Sequence, residues 1–150
     1  MNPIKPLRRV FAFLSLALVA GLAQAETYRD IGDYVIHYNA LPTDVLAPNI
    51  ARSYDITRSK SRGMLNVAVL KKMAGTPGMP VTASVTAYST NLNSQIREFD
   101  MREIREQNAI YYIGEFGISN QETLTFTITV SPEKTRPPQT LSFTRQFYVD

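Results

Sequence analysis

His37 is the only histidine in this 150-residue chain, and so the one side chain whose ordinary titration suits general-base chemistry near neutral pH. A Ser-His-Asp arrangement would have to use it. The strained Gly-x-Ser-x-Gly turn that exposes a nucleophilic serine is absent from the sequence. There is no cysteine, which excludes thiol catalysis, disulfides, cysteine-ligated zinc and iron–sulfur clusters. His37 sits in the run Tyr34-Val35-Ile36-His37-Tyr38-Asn39, among aromatic and β-branched neighbours that read as a strand. A structural role fits that context better than catalysis.

Carboxylates offer a second route to chemistry. Glu98 and Asp100 lie two apart and would share one face of a strand, with Glu103, Glu106 and Glu115 following. Two of them in one cleft, about 5–10 Å apart, could act as general acid and base on a glycan. The acids alternate with Arg97, Arg102 and Arg105, however, and local charge compensation is the simpler account. The Asp-x-Asp/Asn-x-Asp/Asn-Gly calcium loop is also missing. The expectation is therefore no catalytic residue, no metal site and no cofactor.

The basic run Arg58-Ser59-Lys60-Ser61-Arg62 is the best candidate for binding. If the run is extended, spacing of two projects three cations to one side, where they could hold a phosphate, a sulfate or an acidic peptide. Arg58, Lys60 and Arg62, with His37 and Tyr38 nearby, form the expected contact region. Arg145 interrupts the inward series Leu141, Phe143, Phe147 and Val149, which asks for a bulge or for an apolar stem with a wetted head. The eight tyrosines are further candidate contacts, because several of them cannot point inward.

These residues must be positioned by strands. Thr123 to Val130 reads TLTFTITV: Leu124, Phe126, Ile128 and Val130 fall on one face and four threonines on the other. Six more strands are expected at 33–39, 64–71, 81–90, 95–103, 109–116 and 140–149. The charged 95–103 segment reads as an edge. One segment breaks the rhythm. Leu41 to Asp55 carries Thr43 and Asp44 as candidate N-caps and Pro48 at a first helical position, so one or two helical turns near 44–54 are expected at the end of the structure. Seven antiparallel strands predict an all-β fold, an immunoglobulin or fibronectin III-like β-sandwich, with a small barrel as the alternative.

Residues 1–25 read as a cleaved signal peptide: Lys5, Arg8 and Arg9, an apolar run from Val10 to Leu22, then Ala23-Gln24-Ala25. The run is shorter than the roughly 20 residues a membrane span needs, so no stable anchor is expected after cleavage. The leader carries three of the 16 basic residues and none of the 13 acids, so residues 26–150 balance at 13 against 13. The net charge of +3 therefore belongs to export. A neutral domain lacks a field for polyanions, and no nucleic acid is expected as a partner.

The runs TYRDIGDYVIHYNALPTD, ITRSKSRGMLNVAVL and MREIREQNAIYYIGEF mark a resemblance covering about Thr27 to Tyr148. The chain resembles domain of unknown function 4426, a family of small exported proteins of Gram-negative bacteria. That resemblance implies an envelope location and one compact domain, residues 26–150. It supplies no reaction, ligand or catalytic residue. The expected function is a non-catalytic periplasmic module that binds another envelope protein or a small anion. A carboxylate hydrolase of envelope glycans, or a strand-pairing chaperone-like or structural protein, is the alternative.

Overall fold

The computed structural model describes residues 27–134 and 136–150. The leader and the expected start at Glu26 lie outside the described residues. Ten strands form two antiparallel sheets that face each other across one main core. In chain order they are β1 (Thr27–Ile31), β2 (Tyr34–Pro42), β3 (Arg62–Lys71), β4 (Met79–Pro80), β5 (Ala83–Asn91), β6 (Ile96–Phe99), β7 (Arg102–Glu106), β8 (Ala109–Gly117), β9 (Glu122–Pro132) and β10 (Gln139–Phe147). One sheet runs β1-β2-β3-β8-β7, with β4 paired to β3; the other runs β10-β9-β5-β6. The all-β sandwich is as expected.

Period-two patterning explains which face each strand buries. Leu124, Phe126, Ile128 and Val130 of β9 are all buried, as their alternation requires. They meet Ile36, Leu65, Val67 and Val69 from the opposite sheet in the main cluster. Phe126 stands at its centre. Its ring lies 5.0 Å from Phe143, 5.2 Å from Phe116 and 6.0 Å from Phe99. Fully buried aromatics of this kind contribute about 3–5 kcal/mol each against alanine.

The strand count differs from seven for identifiable reasons. The expected strand at 95–103 is two strands: β6 pairs with β5 in one sheet, and β7 pairs with β8 in the other. The chain changes sheets at Phe99-Asp100-Met101, and it does so directly over Gly114. A Cβ added at Gly114 would lie 2.6 Å from Met101 Sδ and 3.0 Å from Phe99 Cβ, so glycine lets the chain cross without displacing either side chain. β1 was not expected, since its pattern is almost wholly exposed. It forms because Gly32, at φ 68°, opens a two-residue hairpin loop that returns Thr27–Ile31 onto Tyr34–Tyr38.

The helical segment is a 3-10 turn (Thr43–Val45) followed by α1 (Pro48–Ser53), with Pro48 at its start as anticipated. Its location corrects the expectation. Ala51 and Ile56 pack with Met64 and Ile113, residues on the outer face of the larger sheet, and not against an end of the sandwich. Nor does Thr43 cap a helix. It is fully buried, donating from Oγ1 to the Thr57 carbonyl (2.8 Å) and accepting the Ser59 N–H (2.9 Å). Among the described residues, no helix is long and apolar enough to cross a membrane.

Candidate functional site

The basic run enters β3 and is largely engaged by the protein itself. Arg58 donates from Nε to the Leu46 carbonyl (2.7 Å) and from Nη2 to the Asp44 carbonyl (2.8 Å), tying the 3-10 segment to the run. Arg62 pairs with Glu115 on the neighbouring strand at 3.2 Å. Lys60 is exposed. His37 and Tyr38 are adjacent in β2 and therefore point to opposite faces. His37 lies on the outer face, its ring 6.0 Å from Tyr28. Tyr38 is a core residue, with 5% of its surface exposed and its ring 5.0 Å from Phe143. The structure does not bring these five residues into one patch.

The carboxylates are dispersed as well. Glu98 stands opposite Tyr88 on the outer face of the smaller sheet, whereas Glu115 pairs with Arg62 on the outer face of the larger one. Glu103 is bonded at the gap between the sheets. Its Oε1 accepts from Arg105 Nε (2.5 Å) and its Oε2 from the Tyr112 hydroxyl (2.9 Å). The Arg105 bond, and after it the Tyr112 bond, holds the Glu103 carboxyl below its ordinary range. The Tyr112 hydroxyl in turn accepts the Ala83 N–H at 2.8 Å, pinning the start of β5 to the opposite sheet. Burial is the main cause that raises the Tyr112 phenol. A cleft of about 450 Å³ opens beside this pair, lined by Ser84, Val85, Met101 and Lys134. The Glu103 and Tyr112 oxygens are already bonded to each other and to Arg105 and Ala83, so the pair reads as a structural bridge. Among the described residues, no group of three or more His, Asp or Glu is placed to hold a metal ion.

The most distinctive feature is an edge. Four strands end the two sheets. β6 has four residues, including Arg97 and Glu98; β1 has five, including Arg29 and Asp30; β7 has five, four of them charged. Short length and charge are the ordinary protections of an edge against strand pairing. β10 has neither. It is nine residues long, holds nine consecutive pairings with β9 without a bulge, and contains one charge, Arg145. Its inner side chains anchor it to the core. Leu141 and Phe147 are buried, and Phe143 stacks on Phe126 at 5.0 Å. Arg145 keeps the inward register, lies over the Phe147 ring and donates to Asn39 Oδ1 at 3.0 Å. Of the two readings the sequence offered, the bulge does not form and the stem lies over apolar surface. Partial burial lowers its affinity for the proton.

Sequence reasoning missed the Tyr112–Ala83 bridge, whose partners are 29 residues apart. It also missed the unequal edges, which depend on strand order. The uncharged run QTLSFT at the start of β10 was the available signal for the second.

Solved structures share the architecture. A crystal structure of a DUF4426 family protein from Pseudomonas aeruginosa PAO1 is 36% identical, with a TM-score of 0.73 over 86% of this chain and 99% of that one. FetP of uropathogenic Escherichia coli strain F11, expressed in the periplasm of E. coli, is 10% identical, with a TM-score of 0.58 over 83% of this chain and 94% of its own. A copper-bound variant of FetP aligns with the same TM-score and identity, over 82% and 95%. At that identity the likeness to FetP is one of fold. No curated protein matches the sequence. The profile of the family described as domain of unknown function (DUF4426) matches residues 28–150, and the chain belongs to that family.

Proposed function

We propose that this protein is exported to the periplasm by cleavage after Ala25 and works there as a non-catalytic binding module. Its partner is another envelope protein, which contributes an extended segment that pairs with β10. The observation that carries this reading is the contrast among the four sheet edges. Three are short and charged, while the fourth presents nine residues with a single charge, anchored to the core by its inner side chains. Strand addition draws affinity from main-chain hydrogen bonds, and a preorganised edge reduces the ordering entropy of binding. The leader of residues 1–25 supports export, and the fold shared with FetP, a protein obtained from the periplasm, is in line with that compartment. A small anion at the basic run has less support, because Arg58 and Arg62 are already bonded within the protein.

The test is capture from a periplasmic extract with a proline placed in turn at each residue from Thr140 to Thr144. Along an edge strand, alternate residues direct their N–H away from the paired neighbour. Half of the prolines therefore spare the bonds to β9 and remove only an outward donor. Those folded variants are expected to lose the crosslinked partner that the parent protein recovers. Capture by the folded variants at the parent level would refute strand addition. Failure of the parent protein to recover any specific partner would refute the binding module.

A further inference from the structure

The smaller sheet turns an unusual outer face to solvent. β5, β9 and β10 place thirteen side chains on it: eight threonines, three serines, Tyr88 and Gln146. None is charged. A protein surface of ordinary composition would put about three or four charges among thirteen positions. Strand propensity does not explain the threonines, because the outer face of the larger sheet, from β1 through β7, carries neither threonine nor serine.

The strand registers turn this composition into a grid. Across β9 and β10 the hydroxyls pair directly: Thr125 with Thr144 at 2.9 Å, Thr127 with Ser142 at 3.2 Å and Thr129 with Thr140 at 3.1 Å. On the other flank, Thr86, Tyr88 and Thr90 of β5 stand opposite Thr129, Thr127 and Thr125. The result is three rows of three, spaced about 4.8 Å across the strands and about 6.7 Å along them. Each hydroxyl pair uses one hydrogen internally, which leaves the second O–H and the spare lone pairs facing outward. The Tyr88 ring occupies the middle row and is 38% exposed.

We infer that this face binds a neutral, linear polysaccharide. The ligand that matches a nearly uncharged, regularly spaced array of hydroxyls and methyl groups is itself uncharged, hydroxyl-rich and periodic. Tyr88 offers a platform for the C–H face of one sugar ring, and the flanking hydroxyl rows exchange hydrogen bonds with its neighbours. Binding of this kind needs no counter-ion release and is independent of salt, unlike attachment to a polyanion. The inference stands apart from strand addition, which uses the β10 backbone and not this face.

The test is sedimentation of the purified protein with chitin and with cellulose, at low and high salt. Two variants accompany it, Tyr88→Ala and Thr127→Lys, each first shown to keep the parent Tm. The parent is expected to co-sediment with at least one polymer to the same extent at both salt levels. Both variants should show at least a roughly tenfold weaker apparent affinity, equivalent to about 1.4 kcal/mol. A parent that stays in the supernatant with both polymers would overturn the inference, as would variants that bind like the parent. Retention that vanishes at high salt would point to charge and overturn it too. Activity against ice recrystallisation without polymer binding would reassign the grid to ice.

Discussion

Replacing Tyr112 with phenylalanine removes one oxygen from the point where the two sheets are tied. That oxygen accepts the Ala83 N–H at 2.8 Å and donates to Glu103 at 2.9 Å. Tyr112 and Ala83 are both buried, so in the variant the Ala83 N–H keeps neither water nor a partner. Leaving such a donor unsatisfied costs about 1–3 kcal/mol. The Glu103 bond adds little, since that carboxylate is partly exposed and keeps Arg105. The expected loss is therefore about 1–3 kcal/mol in urea unfolding, with an unchanged m-value because the buried surface is unchanged.

The titration of Tyr112 supplies an independent sign. Its phenol is raised in the folded state, so the unfolded chain releases this proton first. The contribution is fully present below the ordinary tyrosine range and is lost as pH rises past that range through the raised folded value. The parent should lose this increment of stability on the alkaline side, whereas Tyr112→Phe should lack that component. A variant within about 0.5 kcal/mol of the parent, the range of a neutral surface change, would refute the bridge.

Other consequences follow from the same contacts. Gly114→Ala sets a methyl against the chain crossing at Phe99 and Met101, and should cost about 1–3 kcal/mol in chemical unfolding. Thr43→Val leaves the Ser59 N–H without its acceptor, and thermal and urea unfolding should show a loss of about 1–3 kcal/mol. Glu103→Gln should flatten the acid limb of the stability profile. Glu103 is held low in the folded state, so its contribution is present above the ordinary carboxylate range and disappears as pH falls below it. Arg145→Leu removes the single charge of β10, and concentration-dependent self-association should follow in light scattering.

Much of this architecture was legible in period-two patterns. TLTFTITV gives β9 its faces directly, and the absence of Gly or Pro inside it leaves no competing reading. The same rule, applied strictly, separates His37 from Tyr38. Grouping them as one contact region overlooked the pleat that sends neighbours to opposite faces. The split of the 95–103 segment was not legible, because its alternation continues through the crossing and only the close approach to Gly114 reveals it. Arg58 looked like a free cation because its partners, the Asp44 and Leu46 carbonyls, lie 14 and 12 residues away and meet it only after folding. The hydroxyl grid is a property of register. Each strand shows its own threonines, but three strands must align before the rows exist.

The most direct test of the central claim is amide hydrogen exchange along β10, with and without the partner recovered from the periplasm. Strand addition predicts new protection at alternate residues of Gln139–Phe147, those whose N–H points away from β9, with β1, β6 and β7 unchanged. Protection that appears at the Arg58–Arg62 run or on another edge, while the outward amides of β10 exchange as before, would contradict it.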